Sequence, residues 1–175
     1  MRNLIFTGSN YLNSNCSQIV KFLFSNLSSN SKIIDPYKIK VNPCTGCNSC
    51  LKNNKCIFND DMDLVVEGIQ ESDRLIFISP VFFFGLPSAL KTIIDRFQIF
   101  WEKPPIGKEK HALVILTGGS PYFLDQFYSS KKIFNSAFKV LGINKFEFIT
   151  LSNTDKVCFS ENYEFKELLK KKILD

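Results

Sequence analysis

The sequence lacks any uninterrupted apolar run near the roughly 18 residues that a membrane-spanning helix needs. The longest candidate, residues 75–86, is broken by Ser79, Pro80 and Gly85. A secretory signal is missing as well, because Arg2 is followed by an apolar core of only three residues. We therefore expect a cytoplasmic protein that does not enter a membrane.

The sequence also contains few histidines and no arginine-rich pattern. His111 is the only histidine, and neither a Ser-His-Asp set nor a catalytic pair of carboxylates can be recognised, so nothing in the sequence supports a hydrolase. The net charge of +5 comes largely from scattered lysines and the run 170–172. Because no stripe of arginines with interleaved aromatics accompanies them, these lysines favour a solvated face and not nucleic-acid binding.

What the sequence does contain is a regular alternation of apolar runs and amphipathic segments. The runs lie at residues 4–6, 33–34, 75–78, 113–116 and 146–149. This alternation is typical of a parallel sheet built from βαβ units. With 175 residues and no internal repeat or low-complexity linker, the chain is predicted to form a single domain, residues 1–175.

The segments between the runs have helical spacing. Their apolar stripes are Val20, Phe24, Leu27; Met62, Val65, Val66, Ile69; Leu86, Leu90, Ile93, Ile94, Phe97, Trp101; Phe134, Ala137, Phe138, Leu141; and Phe165, Leu168, Leu169, Ile173. Five strands and five helices fit the flavodoxin-like α/β fold, a three-layer sandwich whose five-stranded parallel sheet has the order 2-1-3-4-5 with helices on both faces. Ligands in that fold bind beyond the carboxyl ends of the strands, so the loops after strands 1, 3 and 4 should carry binding chemistry.

A hydroxyl-rich loop, residues 7–17, follows the first predicted strand and leads into a helix. Hydroxyls, amides and the free N–H groups at the start of a helix can donate hydrogen bonds to a phosphate monoester, and the helix dipole favours the anion. The alternative is an ordinary helix start in which Ser14 or Asn15 caps the first turn.

The loops after the third and fourth strands are aromatic and glycine-rich. Phe82, Phe83 and Phe84 follow the third strand, where they could line a flat aromatic ligand. The alternative is that the three phenylalanines belong to the core. Gly118 and Gly119 follow the fourth strand, where they either permit close approach to a planar ring or form a simple turn.

Taken together, four segments resemble the NAD(P)H-dependent FMN reductases, a flavodoxin-like family, and within it the iron–sulfur flavoproteins. The segments are GSNYLNSNCS at 8–17, CTGCNSCLKNNKC at 44–56 followed by Asn59, Asp60, Asp61 and Met62, SPVFFFGLPSALKTIIDR at 79–96, and GKEKHALVILTGGS at 107–120. They occur in the order expected of the family and leave the C-terminal third unmatched.

The resemblance implies a bound FMN, with NAD(P)H as its electron donor. The residues implied around the phosphate are Ser9, Asn15, Cys16 and Ser17. Those implied around the isoalloxazine ring are Pro80, Val81, Phe82, Phe83, Phe84, Gly85, Thr117, Gly118 and Gly119. The chain departs from the family pattern in its first loop, which usually has Pro-Arg where this chain has Asn10 and Tyr11, and Thr where it has Cys16. Loss of the arginine removes a charge-assisted contact to the phosphate.

Four of the six cysteines lie within thirteen residues, in a cysteine-rich loop at residues 43–57. They are Cys44, Cys47, Cys50 and Cys56. Three cysteines with two residues between neighbours allow one tight loop to hold three corners of a [4Fe–4S] cluster, and a fourth completes the four-thiolate set. The five-residue gap before the fourth resembles that of iron–sulfur flavoproteins. Two alternatives stay open: zinc, which more often uses two separated pairs of cysteines, and uncoordinated thiols able to form labile disulfides.

These observations predict an FMN-dependent oxidoreductase whose partner is a small-molecule electron acceptor or, with a [4Fe–4S] cluster, a ferredoxin-type redox protein. One alternative is a cluster-free NAD(P)H-dependent FMN or quinone reductase with incidental cysteines. A second is a non-enzymatic FMN electron carrier or thiol redox sensor. The resemblance also implies a homodimer or homotetramer, for which Phe97, Phe100 and Trp101 offer a candidate contact surface.

Overall fold

Five parallel strands form one sheet in the computed structural model, which describes residues 1–27, 30–105 and 109–174. The strands are β1 (Asn3–Thr7), β2 (Ser31–Ile34), β3 (Arg74–Pro80), β4 (His111–Thr117) and β5 (Lys145–Leu151). Their order is β2-β1-β3-β4-β5, and every neighbouring pair is parallel. The predicted flavodoxin-like topology is confirmed.

Six α-helices lie within the described residues. They are α1 (Asn15–Asn26), α2 (Ser49–Asn53), α3 (Met62–Glu71), α4 (Ser88–Asp95), α5 (Tyr128–Val140) and α6 (Tyr163–Leu174). The sequence did not predict α2, because five residues make little more than one turn and show no apolar period. Among the described residues, no helix combines the length and apolar character needed to cross a bilayer.

The two faces of the sheet are covered by separate groups of helices. On one face, strand residues such as Phe6 and Phe77 pack under α3, α4 and α5, and their rings stack with centroids 4.6 Å apart. On the other face, Ile5 and Ile76 pack beneath α1 and α6. Because both faces are buried, the central strands are apolar along nearly their whole length. This arrangement is the predicted three-layer sandwich.

In α1 the buried stripe differs from the predicted one by one position. The buried residues are Cys16, Ile19 and Leu23, whereas the predicted Phe24 is half exposed. Both stripes have helical spacing, so periodicity alone could not decide which of them faces the sheet.

The stripe of α4 also ends earlier than predicted. The chain tightens into a 3₁₀ segment over Arg96–Phe100, where about three residues per turn replace about 3.6. Phe97 and Phe100 remain buried, but Trp101 is turned outward and is 57% exposed.

The long connection between β2 and α3, residues 35–61, carries the cysteine-rich loop. It starts at the carboxyl edge of the sheet and passes beside α4, so that α2 contacts the 3₁₀ segment Arg96–Phe100. This path places the cysteines next to the helix that follows the β3 loop.

Candidate functional site

The carboxyl ends of β1 and β3 approach each other closely at Gly8. Its N–H donates to the carbonyl of Ile78 at 2.7 Å. A Cβ added to Gly8 would lie 3.0 Å from the Cα of Ser79 and 2.6 Å from its hydroxyl, which leaves space for glycine alone. The loops that follow the two strands therefore leave the sheet at one crevice.

Three serine hydroxyls surround the start of α1. Ser14 caps the helix, because its Oγ accepts the N–H of Ser17 at 3.1 Å. The Ser9 hydroxyl donates to Ser14 Oγ at 3.0 Å, and the Ser14 and Ser17 hydroxyls are also 3.0 Å apart. The N–H groups of Asn15 and Cys16 belong to the first turn and have no acceptor within the helix. Hydroxyls and helix amides, the donors that an anion needs, thus lie side by side.

The side chains of Asn15 and Cys16 form hydrogen bonds with other segments of the chain and not with the three serine hydroxyls. Asn15 Oδ1 accepts the N–H of Phe159 at 2.6 Å, and its amide donates to the carbonyl of Thr154 at 3.5 Å. The Cys16 thiol is buried 3.4 Å from the hydroxyl of Thr117, and burial raises its pKa to about 11. Any contribution of these two residues to anion binding is therefore made by their backbone amides.

The loop after β3 is a tight reverse turn. Phe82 and Gly85 exchange two backbone hydrogen bonds, of 3.0 and 2.9 Å. The central residues Phe83 and Phe84 have φ angles of 50° and 64°, the left-handed pair typical of a type I′ turn, which favours glycine or asparagine. Phe83 is fully exposed and its two neighbours are about half exposed. The alternative that the three phenylalanines are core is wrong, and strained backbone of this kind is typical of ligand sites.

Phe83→Gly should raise the free energy of unfolding of the flavin-free protein by about 1 kcal/mol, because glycine adopts the left-handed conformation without strain. The measurement is urea unfolding followed by circular dichroism. The matched control is Phe24→Gly, another exposed phenylalanine but in the right-handed α1, which should lose about 1 kcal/mol. A loss of stability in Phe83→Gly would contradict the strain.

The loop after β4 is held by the segment that follows β5. Thr154 donates its N–H to the Gly118 carbonyl at 3.1 Å, and Asp155 donates to the Gly119 carbonyl at 3.2 Å. Together with the β3 turn this loop borders a cavity of about 180 Å³, lined by Val81, Phe83, Phe84, Gly118, Gly119, Ser120, Phe123 and Gln126. Two of the predicted ring-binding loops therefore meet at one place. The first two residues of the segment 107–120 quoted for the resemblance lie outside the described residues.

An unsatisfied acceptor lies beside this loop. Asn153 has a left-handed backbone with φ of 62°, and its N–H donates to the Ser120 carbonyl at 2.7 Å. Its side-chain Oδ1 is buried and has no hydrogen-bond partner in the described part of the chain. Buried acceptors are nearly always paired, so this oxygen is available for a donor from a ligand.

A second cavity, of about 360 Å³, is lined by all four predicted cysteines, Cys44, Cys47, Cys50 and Cys56. The first two are exposed and the last two are partly buried. Each interval between successive cysteines contains one residue with a left-handed backbone: Gly46, Asn48 and Asn54, with φ of 67°, 58° and 52°. The chain changes direction at these left-handed residues, and all four cysteines line the same cavity. Within the described residues, however, no group of three or more Cys, His, Asp or Glu side chains is arranged to hold a metal ion.

A buried ion pair borders the four-cysteine cavity. The Arg96 guanidinium donates to both carboxylate oxygens of Asp60, at 2.9 and 3.2 Å, and both side chains are only 2% exposed. Asp60 also accepts the N–H groups of Asn42 at 2.9 Å and Met62 at 3.2 Å. The guanidinium lies over the Phe58 ring, 5.1 Å from its centroid. The pair thereby joins residues 42 and 58, which flank the cysteine-rich loop, to the start of α3 and the end of α4.

The two aspartates before α3 have different partners. Asp60 accepts the first helical N–H, that of Met62. Asp61 occupies the N-cap position but makes no side-chain cap bond; its carboxylate accepts the N–H of Lys40 at 2.7 Å.

Comparison with known protein families shows the family of this chain. The model of the family described as NADPH-dependent FMN reductase matches residues 1–153. The chain belongs to the FMN reductase family. Among solved structures, an FMN-dependent NADH-azoreductase from Bacillus anthracis in complex with FMN covers 100% of this chain and of its own, with a TM-score of 0.70 and 18% identity. At 18% identity, this structural similarity shows only that the member of the FMN reductase family described here has the same fold.

Two curated relatives match shorter parts of the chain. An iron-sulfur flavoprotein from Archaeoglobus fulgidus is 38% identical over 84 residues, which is 47% of this chain and 38% of that protein. FMN-dependent NADH:quinone oxidoreductase 1 from Hahella chejuensis is 31% identical over 106 residues, 54% of this chain and 49% of that protein. The matched part thus spans less than half the length of either relative.

The crevice of this FMN reductase family member fits FMN in its chemistry. Serine hydroxyls and helix amides supply donors for a phosphate, and the exposed phenylalanine turn offers apolar surface to a flat ring. The unpaired Oδ1 of Asn153 can accept a hydrogen bond from a ligand N–H or O–H.

The four-cysteine cavity fits a metal centre in its donor set. Thiolates are the ligands that iron–sulfur clusters and zinc favour. The thiols would have to converge further to coordinate iron or zinc, so the metal site at Cys44, Cys47, Cys50 and Cys56 stays a prediction, with zinc and free thiols as its alternatives.

Two contributions to the site were missed by sequence reasoning. Gln126 is buried, donates to the Ser120 carbonyl at 3.2 Å and accepts from the Ser152 hydroxyl at 2.9 Å, so it fixes the glycine loop. No local pattern marks it, because one of its partners, Ser152, comes from the segment after β5. Arg96, by contrast, closes the segment 79–96 quoted for the resemblance, and a charged residue at the end of an apolar stripe was a usable signal.

Proposed function

We propose that this chain is an FMN-dependent oxidoreductase that takes electrons from NAD(P)H. The observation that carries the proposal is that β1, β3 and β4 are successive parallel strands, so that the loops after them leave the same edge of the sheet, in a member of the FMN reductase family. FMN, when bound, supplies the redox chemistry through its isoalloxazine ring. The protein supplies binding and orientation, and we assign no side chain an acid–base role.

The residues proposed to hold the cofactor divide between its two ends. At the phosphate, the hydroxyls of Ser9, Ser14 and Ser17 would donate together with the first amides of α1. At the ring, residues 80–85 and 117–119 would supply apolar surface and backbone amides. Because a Cβ added to Gly119 would clash with the carboxylate of Asp155, this loop has no space for a side chain without rearrangement.

We propose a small-molecule acceptor, of the quinone type, as the first destination of the electrons. The exposed turn at Phe83 and Phe84 supports this proposal, because planar acceptors stack on aromatic surface. The four-cysteine cavity would hold a [4Fe–4S] cluster, and a ferredoxin-type protein is the partner that such a centre would serve. The names of the Archaeoglobus and Hahella relatives are consistent with these two routes.

The test is to purify the protein without oxygen, record its absorption spectrum, and measure iron and acid-labile sulfide. We expect flavin bands after addition of FMN, and oxidation of NADH or NADPH when a quinone is supplied. Absence of flavin bands would remove the proposal. Flavin without iron would leave the cluster-free reductase, and bound flavin without turnover on any acceptor would leave an electron carrier.

Tyr11→Arg should tighten FMN binding about tenfold, because it restores a charge-assisted hydrogen bond at the phosphate. Tyr11 is 69% exposed, so there is space for a longer cationic side chain. Its N–H donates to Ser9 Oγ at 3.4 Å, so this side chain would lie close to the proposed phosphate site. The measurement is fluorescence titration of FMN. Tyr11→Gln is the uncharged control, and riboflavin, which lacks the phosphate, should gain nothing. An equal gain for riboflavin would contradict a phosphate contact.

We also propose that residues 1–175 act as one domain in the cytoplasm and assemble as a homodimer or homotetramer. Of the three aromatics suggested for an interface, only Trp101 is exposed, beside a groove that includes Ile94, Ile133 and Val140. Light scattering coupled to gel filtration tests the assembly, and a monomer would exclude it.

A further inference from the structure

We infer that the positive charge of Arg96 raises the midpoint potential of an iron–sulfur centre in the four-cysteine cavity, and that Asp60 holds Arg96 in position beside this cavity. The inference rests on the proposed function in one respect, that the cavity holds an iron–sulfur centre bound by the four thiolates. It adds a tuning role for a buried guanidinium outside the ligand set.

The position of Arg96 is the first support. It is only 3% exposed, yet it lines the same cavity as all four cysteines. In the described part of the chain it is the one cation among the lining residues, and the lining carboxylate of Asp95 accepts an exposed hydrogen bond from Lys91 at 2.6 Å. The positive charge next to the thiols is therefore that of Arg96.

The second support is the way in which the guanidinium is held. Both of its terminal nitrogens donate to Asp60, and Nη1 also donates to the Asn42 carbonyl at 2.8 Å. With one face on Phe58, the group has little rotational freedom. A bidentate, stacked guanidinium of this kind cannot be reproduced by lysine geometry, although lysine keeps the charge.

Asp60 keeps the Arg96 guanidinium charged despite its burial. Burial disfavours the charged form of Arg96, whereas the hydrogen bond to Asp60 favours it, and the pKa of Arg96 is raised on balance. Because this guanidinium lines the four-cysteine cavity, its charge favours negative charge on a centre held there. Arg96 and Asp60 are both buried, so salt screens their charges weakly.

The consequence for an iron–sulfur centre has a definite sign. Four thiolates make the centre anionic, and reduction by one electron makes it more so, with no bond formed or broken in the ligand set. A nearby cation favours the reduced form, and charge around the cluster is one of the factors that set its potential. Arg96 should therefore raise the midpoint potential and Asp60 should lower it.

The experiment is a redox titration with dithionite, followed by electron paramagnetic resonance, on anaerobic protein reconstituted with ferrous iron and sulfide. Arg96→Gln keeps a donor toward Asp60 without the charge and should lower the midpoint potential. Arg96→Lys, the matched control, should stay closer to wild type. Asp60→Asn removes the opposing charge and should raise the potential. Shifts of opposite sign are not expected from loosening of the fold, which both substitutions would cause.

Equal potentials in wild type, Arg96→Gln and Asp60→Asn at full iron content would overturn the inference, as would shifts in the same direction. If Arg96→Gln does not fold, the Asp60→Asn shift against wild type still decides the sign. A wild-type protein that takes up no iron and sulfide would remove the cluster from the proposed function and the inference with it. Absence of flavin alone would remove the oxidoreductase proposal and leave this inference standing.

Discussion

Asp60→Ala should lower the free energy of unfolding by about 3–5 kcal/mol, because it leaves the buried Arg96 guanidinium without its counterion. The two side chains are each 2% exposed, so water cannot replace the lost carboxylate. The same substitution removes the acceptor for the Asn42 and Met62 N–H groups, which further weakens the attachment of the β2–α3 connection to the start of α3. Urea unfolding followed by circular dichroism measures the effect.

The neighbouring aspartate provides a matched control. Asp61→Ala removes one exposed hydrogen bond to Lys40 and should cost about 1 kcal/mol. The double variant Asp60→Ala with Arg96→Met should lose less than the sum of the two single variants, because the unpaired buried charge is gone. Equal losses for Asp60→Ala and Asp61→Ala, or strict additivity in the double variant, would show that the pair is not coupled.

The same carboxylate should determine part of the acid sensitivity of the fold. Burial raises the pKa of Asp60, but the hydrogen bonds from Arg96, Asn42 and Met62 outweigh burial and hold this pKa well below its usual range. A carboxyl with a lower pKa in the folded state stabilises the protein above the pKa of the unfolded chain, about 3.9, and that contribution is lost as the pH falls toward the folded pKa. Wild type should therefore lose stability below about pH 4 more steeply than Asp60→Ala does. Parallel pH profiles would contradict this assignment.

The sheet was predictable because its two buried faces leave a strong pattern. Residues 75–78 and 113–116 are continuous apolar runs, and both lie in central strands covered on both sides. The helix faces were less predictable where two apolar stripes overlap. In α1, Ile19 and Val20 both have suitable spacing, and packing against the sheet selects Ile19.

The candidate site was predictable as a set of loops and less so as a set of contacts. The order of the strands places residues 80–85 beside residues 117–119, since β3 and β4 are neighbours. The buried Cys16 thiol and the Gln126 network depend on segments distant in sequence, from β4 and from the loop after β5. No local sequence pattern predicts such contacts, because they form only when folding brings the distant segments together.

Gly8→Ala should weaken FMN binding about 100-fold, because small displacements of a positioning loop have effects of that size. The added Cβ would lie 3.0 Å from the Cα of Ser79 and 2.6 Å from its hydroxyl. The backbone atom cannot rotate away, so the ends of β1 and β3 must separate and the bond from Gly8 to the Ile78 carbonyl must lengthen. The cost in folding free energy should be about 1–3 kcal/mol, as for other overpacked sites.

Gly85→Ala separates this crowding from a general intolerance of alanine near the crevice. A Cβ there would meet only the carbonyl oxygen of Phe82, at an ordinary 3.6 Å, so stability and FMN affinity should stay close to wild type. Ser79→Gly combined with Gly8→Ala removes the hydroxyl and Cβ from the clash and should restore part of the affinity. If Gly8→Ala binds FMN as tightly as Gly85→Ala, the close approach of β1 and β3 does not hold the two loops in register, and the phosphate and ring ends of the crevice are positioned independently.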